Sequence, residues 1–289
     1  MMGDNFTKRA ISGFIALSLF GIVLFYANCV YCWPLIVIFM GAIIGLSVNE
    51  FYNLLKAKGV EPLKKLGIAT ALAYTAALVW AIKDPVFYIM PWIVLLLALL
   101  SSFLYFFFKP NQSLLRLPAT FFAFTYLVLP LGCAISILYY FPEKTTFDGR
   151  WWLFYVVVLS KTTDMGAYAV GKIMGRHPLA KTISPNKTIE GAVGGVLFTF
   201  IASIAVPLFV SFFSPSHVLP FLSFEACFLT LMIALLSQIG DLSESLLKRD
   251  AGIKDSSDIP GLGGILDLVD SLIFTIPFMY FYLTVVYLK

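Results

Sequence analysis

Nine apolar runs follow one another along this chain, at about 10–28, 33–54, 66–82, 87–108, 118–140, 151–171, 191–213, 218–240 and 264–287. A helix needs about 20 apolar residues to cross ~30 Å of hydrocarbon. A span in lipid must also satisfy its own backbone hydrogen bonds, which a helix does. The sequence therefore predicts an all-α polytopic membrane protein of about nine transmembrane helices. Charged residues make up only 12% of the chain, against about 25% in soluble domains. Lys8 and Arg9 ahead of the first run imitate a secretory signal. No small-residue cleavage site follows and the second run begins almost at once, so an uncleaved first helix is expected.

The cations assign sides. With a cytosolic N-terminus and strict alternation, fifteen of the twenty Lys and Arg fall on the cytosolic side and four on the far side, with Lys161 inside a span. That asymmetry is what the positive-inside rule demands. It places both long loops, 172–190 and 241–263, on the cytosolic face, where nucleotides are found. The net charge of +4 is modest and unclustered, so no nucleic-acid partner is expected. The four cysteines read as small apolar residues, because a zinc site would need further ligands and there are only two His.

Charge inside the membrane marks candidate chemistry. Lys161 and Asp164 lie three residues apart in the sixth run and would share a helix face. Ionisable side chains in a span generally face a cavity or the bundle interior. The plain alternative is a neutralised pair holding helices together. Glu225 falls inside the eighth run, where it either pairs with Lys161 or is protonated. The loop GRHPLAKTISPNKTIEGAVGG follows the sixth run. Its Ser184, Lys187 and neighbouring hydroxyls precede a glycine-rich helix start, a plausible anion site. It contains no Walker A sequence.

The densest charge lies between the last two spans. Residues 241–270 carry seven carboxylates and three cations. If the eighth helix continues, Asp241, Glu244, Ser245 and Lys248 share one face. Asp267 and Asp270 would share another at the start of the ninth. Oxygen-rich clusters of this sign suit Mg²⁺, which takes one or two carboxylates, waters and substrate phosphate. Lys248, Arg249 and Lys254 could hold phosphates. The competing reading is a solvated acidic loop.

These residues resemble a family. Asp164-x-x-Ala167-Tyr168-x-x-Gly171-Lys172 is one element, and Ile183-Ser184-Pro185-Asn186-Lys187-Thr188-x-Glu190-Gly191 a second. The third runs Gly240-Asp241-Leu242, Ser245-x-x-Lys248-Arg249, Lys254-Asp255, then Pro260-Gly261-x-Gly263-Gly264-x-x-Asp267-x-x-Asp270. Together they look like the signature of the phosphatidate cytidylyltransferases, covering about the C-terminal half. Two positions depart from it: Leu262 stands where the family has His, and Leu268 where it has Arg.

The resemblance implies transfer of the cytidylyl group of CTP to phosphatidic acid, giving CDP-diacylglycerol and pyrophosphate, with Mg²⁺. It assigns Asp241, Asp267, Lys248 and Asp164 to catalysis. Asp241 and Asp267 would hold Mg²⁺, with Asp270 as a further or second-cation ligand. Ser184, Lys187, Ser245, Arg249, Lys254 and Asp255 would bind substrate. Residues 1–150 would then be N-terminal transmembrane helices and 151–289 a C-terminal transmembrane catalytic region. The expected setting is a bacterial inner membrane with the site facing the cytosol; a homodimer is compatible with the sequence but not fixed by it. Two other classes stay open: a CTP-dependent polyprenol or phytol kinase, and an ion-coupled transporter using the intramembrane charges.

Overall fold

The computed structural model describes residues 20–27, 29, 31–139, 148–214, 219–253 and 264–287. Nearly all of them are helical: α1 Trp33–Ala57, α2 Lys64–Lys83, α3 Met90–Phe108, α4 Ser113–Ala123, α5 Leu129–Tyr139, α6 Gly149–Met174, α7 Ile189–Phe213, α8 Phe224–Asp250, α9 Ile265–Val269 and α10 Leu272–Tyr287. One short antiparallel hairpin, β1 Pro178–Ala180 and β2 Ser184–Thr188, joins α6 to α7.

Among the described residues, seven helical stretches are long and apolar enough to cross a membrane. Large apolar side chains such as Leu97, Leu104, Phe107 and Phe108 on α3 are exposed, a surface of the kind that lipid covers. The chain is an all-α, multi-pass membrane protein. Of the nine expected spans, most of the first lies outside the described residues. The sixth is present as α6 but is not among the seven, because Arg150, Lys161, Asp164 and Lys172 interrupt its apolar character.

The chain forms two compact units, Met1–Ile135 with Asp250–Leu268, and Ser136–Arg249 with Val269–Lys289. In the first, α1 has Pro34 in its first turn and is followed by Gly59 at φ +86°, a left-handed value that glycine adopts without the steric cost of a Cβ. Its core is built on Ile44, Val48, Phe51, Tyr52 and Leu127, all fully buried. Tyr52 donates to the Thr120 carbonyl at 2.9 Å, and the Thr120 hydroxyl accepts the Leu63 N–H at 2.9 Å. The buried Arg116 donates to the Glu61 carbonyl at 2.6 Å, so a residue read from sequence as a topology charge is a loop anchor. Residues 124–128 form one π turn between α4 and α5, with the Leu129 N–H bonded to the Phe124 carbonyl. Pro130 comes next and has no N–H to continue the ladder, a local cause for the wide turn.

In the second unit, α6 and α7 pack along small residues. An added Cβ at Gly191 or Gly195 would lie 2.7 or 2.8 Å from a backbone carbonyl of α6. Close backbone approach of this kind is how helices associate where lipid supplies no hydrophobic drive. The Thr163 and Thr199 hydroxyls meet there at 2.6 Å, both buried. Thr199→Val should therefore destabilise the protein. A double cycle with Thr163→Val should give a coupling of about 0.6 kcal/mol by reversible unfolding in mixed micelles; zero coupling would remove this bond from the account.

Two expectations change. The eighth helix starts at Phe224, so Glu225 sits in its first turn and not mid-span. It accepts the Tyr282 hydroxyl, while Lys161 is engaged elsewhere. The ninth run is two helices, α9 and α10, parted at Asp270–Ser271.

Candidate active site

The second unit contains a cavity of about 470 Å³ whose polar lining includes Asp164, Lys172, Asn186, Lys187, Gln238 and Asp241. That volume is in the range of small-ligand sites. Each wall residue is held by an element already described. α6 supplies Asp164 and Lys172, the hairpin supplies Asn186 and Lys187, and α8 supplies Gln238 and Asp241.

The hairpin is fixed at its base. Glu190, in the first turn of α7, accepts the backbone N–H groups of Arg176 and His177 at 3.0 and 3.2 Å and meets His177 Nδ1 at 2.5 Å. The Thr188 side chain caps α7 by accepting the Gly191 N–H at 3.1 Å. Between these ties β2 extends Lys187 to Asp241, Nζ to Oδ2 at 2.6 Å. Arg249 reaches the same hairpin, with Nε 3.3 Å from the Ile183 carbonyl.

Behind Asp164 lies a buried polar set. Lys161 Nζ is 3.5 Å from Asp164 Oδ2 and donates to the Ser271 hydroxyl at 2.8 Å. Ser237 donates to Asp164 Oδ1 at 3.2 Å. Asp270 is 7% exposed, accepts the Ser271 N–H at 2.5 Å, and feels the charges of Lys161, Asp241 and Asp164. Three carboxylates thus share one neighbourhood with the ammonium groups of Lys161 and Lys187.

α8 continues to Asp250, so Asp241, Glu244, Ser245 and Lys248 follow the helical spacing expected of them. Lys248 turns to the buried Glu244, Nζ to Oε2 at 2.6 Å, and neither lines the cavity. Ser184 begins β2 and is half-buried. In the first unit, Asp267 Oδ2 accepts the Gly264 N–H at 2.8 Å. Lys254, Asp255 and Leu262 lie outside the described residues. Asn186 and Lys172 stood in the recognised segments without a role, and Gln238 was an unremarked polar residue in an apolar run.

Among the described residues, no three His, Cys, Asp or Glu side chains converge closely enough to enclose an ion unaided. Mg²⁺ does not ask for that, since waters and substrate phosphate complete its shell. The acidic donors here are hard carboxylate oxygens, and Asp241 already attracts a cation in the Lys187 ammonium. Carboxylate oxygens are the donor type that Mg²⁺ takes.

A family model described as "Cytidylyltransferase family" matches residues 7–286. Proteins named phosphatidate cytidylyltransferase are similar over part of the chain. The Bacillus subtilis (strain 168) protein is 41% identical over 148 residues, 50% of this chain and 52% of the relative. That of Staphylococcus aureus (strain COL) is 40% identical over 153 residues, 51% and 56% of the two chains. That of Staphylococcus epidermidis is 41% identical over 154 residues, again 51% and 56%. The chain spans about half the length of these relatives.

Proposed function

The chain belongs to the cytidylyltransferase family, and on that premise we propose that it transfers the cytidylyl group of CTP to phosphatidic acid. The products are CDP-diacylglycerol, for phospholipid synthesis, and pyrophosphate. The observation that carries this reading is the cavity of about 470 Å³ in which Lys187 meets Asp241 and which Asp164 also lines, within a multi-pass all-α chain. The relatives' shared name supports the same reaction.

A phosphate oxygen of phosphatidic acid attacks the α-phosphorus of CTP. A P–O bond forms to that phosphorus, the bond to the β-phosphate oxygen breaks, and the electron pair leaves on pyrophosphate. The attacking oxygen is already ionised near neutral pH, so no general base is required. What the protein must supply is positive charge and orientation for two approaching anions. Lys187 and Lys172 offer ammonium groups at the cavity wall, and Asn186 and Gln238 offer amide donors. Ser184, Ser245 and Arg249 extend the same task along the hairpin and the end of α8, Lys254 keeps the role that the sequence motif implies, and Lys248 orders that helix end through Glu244.

Mg²⁺ would be held by Asp241 with Asp270 beside it, and would neutralise charge developing on the phosphates. Asp267 carries the same assignment from its place in the final segment. In this reading the N-terminus and both loops face the cytosol of a bacterial inner membrane. CTP arrives from water and the lipid enters from the bilayer.

Membranes from cells expressing the chain are expected to move label from [α-³²P]CTP into a lipid only when Mg²⁺ is present, releasing pyrophosphate. Release of CDP with a lipid monophosphate would instead identify a CTP-dependent lipid kinase. CTP-independent flux in proteoliposomes, without lipid labelling, would identify a transporter.

A further inference from the structure

Glu50 is a carboxylate inside the apolar run of α1, only 5% exposed. Its two oxygens are divided between successive backbone amides 215 and 216 residues away: Oε1 accepts the Ile265 N–H at 3.0 Å, and Oε2 the Leu266 N–H at 2.9 Å. These are the first two residues of α9. Burying a carboxylate is costly unless strong donors meet it, and N–H groups at a helix start are suitable donors because the helix cannot use them itself.

Asp267, the third residue of α9, completes the turn by accepting the Gly264 N–H. Gly264 in turn accepts the Leu268 N–H at 3.3 Å. The carboxylate assigned to cation binding is thus set on a single short turn, and Glu50 holds the two residues before it. Helix propensity in five residues cannot hold such a turn alone, because isolated helices shorter than about 12 residues are marginal in water.

We propose that Glu50 is a positioning residue for the final acidic segment, clamping the first turn of α9 so that Asp267 is presented in one orientation. This rests on the assignment of Asp267 under the proposed function. The proposed action of Glu50 is through Asp267. A glutamine cannot replace it, since its single carbonyl oxygen accepts one N–H while its amide presents a donor to the other.

The test uses the purified full-length chain in nanodiscs, comparing wild type, Glu50→Gln and Asp267→Asn. Amide hydrogen exchange at Ile265 and Leu266 and Mn²⁺ binding by electron paramagnetic resonance are read on the substrate-free protein. Glu50→Gln is expected to speed exchange at both amides and to weaken Mn²⁺ binding about 10-fold, the size of a lost outer-shell partner, with the rest of the exchange profile unchanged. Faster exchange with unaltered Mn²⁺ binding would reduce Glu50 to a helix cap and overturn the proposal, as would no change in either. Asp267→Asn separates the levels. If it abolishes Mn²⁺ binding while Glu50→Gln binds as wild type, this inference fails alone. If Asp267→Asn binds and turns over normally, the assignment beneath it fails as well. Should Glu50→Gln not fold, Ile265→Pro removes one donor where proline suits a helix start, and is read at Leu266 and by Mn²⁺ binding with the same outcomes.

Discussion

Asp241→Asn is expected to lower cytidylyl transfer by about 1,000-fold with the protein still folded in the membrane, a loss typical of removing a main electrostatic contributor to charge stabilisation. Asp241 has two tasks in this structure. It stands on the wall of the cavity among oxygen donors, and it holds the Lys187 ammonium at 2.6 Å. Asparagine keeps the shape but removes the charge that attracts both a divalent cation and the lysine. Lys187→Met should cost less, about 100-fold, and should leave the Mg²⁺ requirement in place, because the carboxylate remains. The two losses should not add in the double variant, since each removes part of one interacting pair. Turnover of labelled CTP into lipid, measured across a Mg²⁺ series, checks all three variants. An Asp241→Asn protein with normal turnover and normal Mg²⁺ dependence would remove α8 from the site.

How far the sequence discloses this arrangement depends on the range of the interactions. Membrane helices are legible because apolar length is a local property, whereas α8 reaching Asp250, ten residues into the stretch read as a loop, is only compatible with the spacing of Asp241, Glu244, Ser245 and Lys248. The acidic and basic side chains of the cavity could be named because each stands out against apolar surroundings. Their pairing could not: Lys187 and Asp241 come from a hairpin and a distant helix, and ties such as those of Glu190 to Arg176 and His177 and of Thr188 to Gly191 fix where the hairpin points. Glu225 misled because the apolar run begins before the helix does. The break at Asp270–Ser271 is not announced by length or periodicity, since the run from 264 to 287 resumes its apolar character after it. Glu50 passes as an ordinary acid near the end of a span because its partners are two backbone amides, which no residue pattern announces.

Gly240→Ala should be the most damaging single-methyl change in the second unit's polar centre. By intrinsic helix propensity alone, alanine in the middle of α8 would stabilise it by about 1 kcal/mol. Here packing outweighs propensity. A Cβ at Gly240 would run into the backbone carbonyl of Asp270, with the Ser271 Cα at 3.2 Å. Neither is a side-chain tip that can rotate away. Overpacking of this type costs about 1–3 kcal/mol, so the propensity gain is overtaken and the backbone at Asp270–Ser271 must move. That segment carries the Asp270 carboxylate and the Ser271 hydroxyl that accepts from Lys161. A displacement near 1 Å at such groups costs about 100-fold in rate. Gly41→Ala is the matched comparison, since its new Cβ would meet only side-chain carbons at 3.8 and 3.9 Å. Unfolding midpoints and lipid labelling should fall together for Gly240→Ala and hold for Gly41→Ala. If Gly240→Ala kept wild-type turnover, the placement of Asp270 and Ser271 against α8 would not be what sets the rate.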